Sequence, residues 1–307
     1  MTNSVFPEAT GNFRRTWTWA VPVLVFALFI IGQLLILLPA KLMGLITRET
    51  VETYPTVLYL VIGTFSMTAL LLALWIKFFE RRSFAGVGLV FKQGTGRFYV
   101  RGYVIGLLMG AAVVFGIRLL GGYGVEAESS LSVSDLAPIL IMMFAFMLQS
   151  GTEEVVFRGW MMGRIAERYG IGAGVIGNSL LFMLMHVEFG ELAASSPARL
   201  VIFSLGTLLF SVFLSLLAIR EKSIWGAAAW HAAWNWIFIS WFALPTTGIE
   251  LNLVPLVTDL MPMADSPVWL TGGAEGPEGS FMTPLVLALG CLFLILRRNP
   301  GGRPAAE

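Results

Sequence analysis

Apolar residues run along this chain in eight long blocks that are separated by shorter polar stretches. Each block is long enough, or nearly so, to form a helix that crosses about 30 Å of hydrocarbon. The blocks cover residues 17–39, 56–79, 102–120, 136–160, 171–188, 199–219, 223–244 and 281–296. The pattern predicts an all-α integral membrane protein with about eight transmembrane helices.

The loops between these blocks alternate between two sides of the membrane, and basic residues are unevenly divided between the sides. The second side has only Lys41, Arg48, Arg118 and Arg199. The first side holds the other 16 of the 20, namely Arg14, Arg15, Lys77, Arg81, Arg82, Lys92, Arg97, Arg101, Arg158, Arg164, Arg168, Arg220, Lys222, Arg297, Arg298 and Arg303. Cytoplasmic loops of membrane proteins carry an excess of Lys and Arg. We therefore predict a multi-pass protein of the cell membrane with both termini in the cytoplasm.

Composition agrees with a membrane location. Hydrophobic residues make up 57% of the chain and charged residues 13%, whereas soluble domains contain roughly 25% charged residues. The 20 basic and 19 acidic residues nearly balance, which argues against a nucleic-acid partner. The lipid bilayer is the expected surrounding.

The fourth block carries three charged residues, Glu153, Glu154 and Arg158. A charge inside a membrane helix costs about 2.5–3.5 kcal/mol even on lenient scales, so such residues usually face a partner or a cavity. Glu154 and Arg158 are four residues apart, a spacing that predicts an ion pair holding the shape of the site. Glu153 lies on another face without a predicted local partner, which makes it the candidate for chemistry.

The only two histidines, His186 and His231, also fall in apolar blocks. Counted from a hairpin tip at Gly170, Glu153 and His186 each lie about 25 Å away and are therefore level. His231 shares a helical face with Asn235 and meets the other two if the hairpin projects about 12 Å into the cytoplasm. A carboxylate with an imidazole can activate water, and a second imidazole with a carboxamide can bind an oxyanion. These residues predict an intramembrane active-site cavity for amide hydrolysis.

Two other hydrolase types lack their sequence signals. His-Glu-x-x-His is absent and thiolates are not available, so no metal and no cofactor are expected. Gly-x-Ser-x-Gly is absent as well, which disfavours a serine hydrolase.

Three motifs together resemble those of the type II CAAX prenyl endopeptidases. They are Glu153-Glu154-x-x-x-Arg158, Phe182-x-x-x-His186 and His231-x-x-x-Asn235, within about residues 138–244. The group includes the Ras-converting enzyme and bacteriocin-processing or immunity relatives. The resemblance implies an eight-helix glutamate-dependent intramembrane protease in which Glu153 and His186 activate water and His231 and Asn235 stabilise the oxyanion.

The resemblance also suggests how the chain is divided. Residues 1–135 supply three helices and a basic loop, 136–244 form the catalytic core of four helices, and 245–307 supply an outer loop, the last helix and a basic tail. Glycines every four residues in the third block, at Gly102, Gly106 and Gly110, predict close helix packing.

The expected partner is a membrane-associated protein or peptide substrate, and the sequence leaves open whether its C-terminus is lipidated. A proton-coupled transporter also places Glu, His and Asn at mid-membrane, although the internal symmetry typical of transporters is missing. A non-catalytic immunity or scaffold protein is a further alternative. The tryptophans of the seventh block and Asn178 are interpreted as packing and hydrogen-bonding residues.

Overall fold

The computed structural model describes residues 4–6, 13–187, 196–247 and 249–297. Each of the eight apolar blocks contains a helix. The helices are α1 Ala20–Leu42, α2 Tyr54–Leu74, α3 Thr95–Leu119, α4 Val133–Glu154, α5 Met162–Tyr169, α6 Ile171–His186, α7 Pro197–Glu221, α8 Trp225–Phe242 and α9 Met282–Leu296. The π-helical segment Val155–Met161 joins α4 to α5, so that the two form one rod. The predicted tail residues Arg298 and Arg303 lie outside the described residues.

Among the described residues, six helical segments are long and apolar enough to cross a membrane. These are Ala20–Leu42, Tyr54–Glu80, Thr95–Leu119, Val133–Tyr169, Pro197–Glu221 and Gly273–Leu296. Helix α6 is shorter, with 16 residues, and α8 carries polar and tryptophan residues inside the protein. The chain is therefore an all-α integral membrane protein with several spans.

Helix α8 is the centre of the bundle, because all of its residues except Trp225 and Trp241 are buried. Helices α3, α4 and α7 pack around it. A helix that is enclosed on all sides in this way can carry polar groups on any face, provided that neighbouring helices supply partners. His231 and Asn235 lie on this helix and are both buried.

The predicted glycine packing of α3 is present and is directed at α8. A Cβ atom on Gly102 would lie 2.2 Å from the carbonyl oxygen of Gly226, and one on Gly106 would lie 2.4 Å from that of Trp230. A Cβ on Gly110 would lie 2.6 Å from the side chain of Ile237. The first two contacts are with backbone, which cannot turn away as a flexible side chain can.

We expect Gly106→Ala to lower the thermal unfolding midpoint, because its methyl group would push α3 away from the α8 segment that carries His231. Overpacking of this kind typically costs about 1–3 kcal/mol. Gly96→Ala is the matched control, since Gly96 lies on the same helix with open space around it. Unfolding of both variants in one detergent tests the expectation, and equal midpoints would contradict it.

A short antiparallel sheet was not predicted. Strand β1, Tyr123–Glu128, pairs with β2, Thr258–Pro262, from Tyr123 opposite Pro262 to Glu128 opposite Thr258. These two strands are a short addition to a helical bundle and leave the all-α fold class unchanged.

The loop that holds β2 is folded against the end of α8, and we call residues 245–247 and 249–280 the cap. Backbone N–H groups of Leu256 and Val257 donate to the carbonyl groups of Ser240 and Trp241 on α8. Gly276 has φ of 63° and approaches Pro245 so closely that a Cβ would lie 2.1 Å from its carbonyl oxygen. The cap is thus a packed part of the protein and forms one wall of the cavity described below.

Candidate active site

Glu153 and Glu154 are the last two residues of α4 before the backbone widens into the π-helical segment Val155–Met161. Gly159 allows this segment to lie against the chain at Val87, since a Cβ there would be 2.3 Å from the Val87 carbonyl oxygen. Single π-helical turns inside α-helices are frequent at functional sites.

The predicted pair between Glu154 and Arg158 is present in the structure. Arg158 Nη1 donates to Glu154 Oε1 at 2.8 Å, and both side chains have 0% exposure. The guanidinium also lies over the ring of Phe182, 4.3 Å from its centroid. A buried pair of this kind is costly to break from one side, because the remaining charge keeps its desolvation penalty.

Glu153 meets both histidines, which come from two other helices. Its Oε2 lies 3.9 Å from His186 Nε2 and 3.7 Å from His231 Nε2. These separations are too long for direct hydrogen bonds and suit a bridging water. Counting residues from Gly170 predicted that Glu153 and His186 lie at the same depth. The short distance between their side chains agrees with that prediction.

Glu153 also has a local contact, contrary to the expectation that it lacks one. Gln149, one turn earlier on α4, donates from Nε2 to Glu153 Oε1 at 3.5 Å. Its other end accepts from Asn235 Nδ2 at 3.4 Å. Because a carboxylate only accepts hydrogen bonds, Glu153 fixes which way the Gln149 amide points, and Gln149 in turn orients Asn235.

The ring of His186 is held in one tautomer by the backbone. Its Nδ1 lies 2.8 Å from the carbonyl oxygen of Phe182, and a carbonyl can only accept. Nδ1 therefore carries the proton, and in the neutral ring Nε2 presents a lone pair toward Glu153. Phe182 stacks on the imidazole with ring centroids 4.1 Å apart.

Glu154 has a second partner that the sequence spacing did not reveal. His231 Nδ1 donates to Glu154 Oε1 at 2.9 Å, so one carboxylate oxygen serves both His231 and Arg158. The ring of Phe210 meets the imidazole edge-on at 4.8 Å. His231 is thereby held with Nε2 directed toward Glu153.

One cavity of about 220 Å³ is lined by Gln149, Glu153, His186, His231 and Asn235. Its polar lining consists of Gln149, Glu153, His186, Thr207, His231, Asn235, Thr247, Glu278 and Thr283. Its apolar and aromatic lining includes Val61, Phe65, Phe182, Phe203, Phe210, Trp234 and Ile249. The wall thus combines residues of α2, α4, α6, α7, α8 and α9 with the cap, which the sequence did not connect to the site.

Two structural interpretations from the sequence can be compared with the contacts. Asn178 donates to Ser211 and Ser215 on α7 and does not line the cavity, as expected for a hydrogen bond between helices. Trp230 and Trp234 stack inside the protein with centroids 4.9 Å apart. Trp234 has a further contact, since its indole N–H donates to Glu278 at 2.9 Å.

Residues 135–237 match the family model of the type II CAAX prenyl endopeptidases, Rce1-like. This Rce1-like segment covers roughly a third of the chain and contains Glu153, His186, His231 and Asn235. The family resemblance indicated by the three motifs is therefore confirmed, and it supports a membrane protease in general. No curated protein matches the chain.

Proposed function

We propose that this protein is an intramembrane endopeptidase that hydrolyses a peptide bond of a membrane-associated protein or peptide. The observation that carries the proposal is the convergence of Glu153 Oε2 with two imidazole Nε2 atoms at 3.7–3.9 Å on the wall of a cavity. The Rce1-like match supports the same class of reaction.

Glu153 and His186 are the groups that would activate water. A water between them donates one hydrogen to Glu153 Oε2 and the other to the lone pair of His186 Nε2. As the water oxygen forms its bond to the substrate carbonyl carbon, one of these acceptors takes the proton. The proton then passes to the amide nitrogen as the C–N bond breaks, which leaves a carboxylic acid and an amine.

His231 and Asn235 are the groups that would bind the oxyanion. His231 donates from Nδ1 to Glu154 Oε1, and an Nε2–H on the same ring would face the cavity. Asn235 adds one N–H, because its other N–H is directed at Gln149. Donors fixed in advance are effective where charge develops in the transition state.

The proposed division of the chain assigns catalysis to residues 136–244, with support from both flanking parts. Val61 and Phe65 on α2 and Glu278 in the cap line the same cavity as Glu153. The close approach of α3 to α8 supports the helix that carries His231.

We propose eight spans with both termini in the cytoplasm, on the basis of the uneven distribution of basic residues between the two sides of the membrane. Arg158 belongs to the buried site rather than to a loop, and the imbalance persists without it. A cysteine at Gln93 should then resist an impermeant thiol reagent applied to intact cells, whereas one at Glu126 should react. Both positions are exposed, and the native Cys291 is buried. Strong labelling at position 93 with none at 126 would show that the orientation is the opposite of the proposed one.

The function is tested by incubating purified protein with membrane-anchored peptides in detergent and identifying released fragments by mass spectrometry. A peptidase releases a fragment, a transporter moves a solute into vesicles, and a scaffold does neither. Comparing the C-termini of membrane proteins in cells with wild-type protein and with Glu153→Ala identifies natural substrates. Activity that collapses with a chelator and returns with zinc would favour a metal mechanism.

A further inference from the structure

Glu80 is a buried carboxylate that lies outside the active-site cavity and has no part in the proposed reaction. The residue is 0% exposed and does not line the cavity. It ends a π-helical segment, Trp75–Glu80, that continues α2. A carboxylate out of water is costly unless hydrogen bonds and an opposing charge compensate for the lost hydration. Glu80 is therefore held in place by the groups that bind it.

Glu80 joins three parts of the chain through one oxygen. Its Oε1 accepts from Trp160 Nε1 at 3.2 Å, and from the hydroxyl and the N–H of Thr16 at 2.6 and 3.3 Å. The Thr16 hydroxyl in turn accepts from Trp75 Nε1 at 2.9 Å. An opposing charge comes from Arg164, which is buried and interacts electrostatically with Glu80. We call Thr16, Trp75, Glu80 and Trp160 the Glu80 network.

Trp160 connects this network to the helix that carries the proposed general base. It lies in the π-helical segment Val155–Met161, which begins directly after Glu154, and its side chain is completely buried. A π-helical turn is closed by bonds between residues five apart, so it is wider than an α-helical turn. The extra residue changes the direction in which the following side chains point. The bond to Glu80 fixes Trp160 near the far end of this turn.

One side chain of the same segment supports His186. Phe157 meets the ring of Phe182 edge-on, with centroids 5.0 Å apart. Phe182 stacks on the imidazole of His186, and its carbonyl oxygen is the partner of His186 Nδ1. Protein interiors are closely packed and transmit displacements. A shift of Phe157 would therefore move His186.

Arg158, the next residue, supports His231. It pairs with Glu154 through the same oxygen that accepts from His231 Nδ1. A rotation of the π-helical turn would thus change the position of both histidines relative to Glu153, from which they are now separated by 3.7–3.9 Å. Misplacement of a reacting group by 1 Å can cost about 10²-fold in rate.

We propose that Glu80 is a positioning residue for the peptidase reaction. It acts through Trp160 on the π-helical segment that holds both histidines at Glu153, and Thr16, in the segment before α1, completes the arrangement. This inference rests on the proposed function and adds residues outside the cavity to it. Because no member of the Glu80 network lines the cavity, the network should affect turnover and leave substrate binding unchanged.

Thr16→Val and Thr16→Ser form the first test, since valine keeps the shape of threonine without its hydroxyl and serine keeps the hydroxyl. We expect Thr16→Val to lower kcat on a membrane-anchored peptide about tenfold at constant KM. Thr16→Ser should stay within about twofold of wild type. Ser215→Ala is the control, because it removes a buried hydroxyl that binds Asn178 away from the cavity, and it should keep the wild-type kcat.

The unfolding midpoint, measured in the same detergent, separates positioning from a purely structural role. A structural role of Thr16 would lower the midpoint of Thr16→Val and leave the kcat of the folded protein unchanged. That result would overturn the proposal.

Glu80→Met and Trp160→Phe test the route through Trp160. Methionine has no carboxylate to accept hydrogen bonds, and phenylalanine keeps a ring without the indole N–H. Each variant should lower kcat about tenfold, and the double variant should be little worse than either, since the two residues act as one unit. Glu80→Gln keeps an accepting oxygen and should recover most of the rate. Multiplying losses in the double variant would overturn this route, and the two Thr16 variants decide if Glu80→Met does not fold.

The pKa values of the histidines provide a readout that needs no cleavage. The chain has only two histidines, so NMR of protein purified without a histidine tag follows each imidazole separately. We expect Thr16→Val to change the pKa of at least one of them by about 0.5, because its separation from the nearby carboxylates changes. Thr16→Ser should leave both pKa values as in wild type.

Turnover and histidine titration together separate this inference from the function on which it rests. If wild type cleaves through Glu153 but Thr16→Val matches Thr16→Ser in kcat, the peptidase function stands and the positioning role fails. If no peptide is cut but a histidine pKa changes in Thr16→Val alone, the network positions the histidines and the proposed function fails. Without cleavage, unchanged pKa values in Thr16→Val would overturn the inference as well.

Discussion

Glu153→Gln should abolish peptide cleavage while leaving the protein folded. The amide has nearly the size of the carboxylate and can still accept from Gln149, but it cannot take a proton from water. Loss of a general base typically costs about 10²–10⁴-fold in turnover. The measurement is kcat on a membrane-anchored peptide, together with the thermal unfolding midpoint in the same detergent. Turnover close to that of wild type would remove Glu153 from the centre of the mechanism.

Glu154→Gln is the matched control, because it changes the neighbouring residue in the same way. Glu154 binds Arg158 and His231 through one oxygen, so that its neutralisation leaves a buried guanidinium without its counter-charge. Breaking a buried pair from one side costs about 3–5 kcal/mol. We therefore expect a lower unfolding midpoint and a lower yield, in contrast to Glu153→Gln. A stable Glu154→Gln variant would show that Arg158 does not depend on this carboxylate.

Spacing along single helices predicted a large part of the site. The pair of Glu154 with Arg158 and the shared face of His231 and Asn235 follow from helical periodicity alone. The common depth of Glu153 and His186 follows from counting residues along two arms that meet at Gly170, where φ of 91° ends α5. Local geometry of this kind is contained in the sequence.

Contacts between distant segments could not be predicted in this way. The bond between His231 and Glu154 depends on how far α8 slides along α4, which the glycine approach of α3 helps to set. The pairing of β1 with β2 joins segments more than a hundred residues apart. Glu278 looked like a loop acid, because nothing in the sequence indicates that the cap reaches the cavity. Gln149 could have been noticed, since it lies four residues before Glu153 in an apolar helix.

Asn235→Ala should lower kcat by about 10²–10³-fold and leave KM nearly unchanged. A donor that stabilises the oxyanion acts mainly in the transition state, and loss of one such donor typically has this effect. A proton relay for transport predicts otherwise, because a carboxamide does not titrate. Steady-state cleavage of one membrane-anchored peptide by purified wild type and variant provides the comparison. A tenfold rise in KM at constant kcat would assign Asn235 to ground-state binding instead.

Gln149→Met tests whether Asn235 is held in place by its neighbour on α4. Methionine keeps the length of the side chain but removes the amide that joins Asn235 to Glu153. If Gln149 acts by orienting Asn235, its loss should lower kcat by about tenfold in the wild-type background and by much less in Asn235→Ala, since coupled residues are not additive. Independent effects in the double variant would mean that Gln149 acts on Glu153 alone. The orientation of Asn235 would then be set within its own helix, α8.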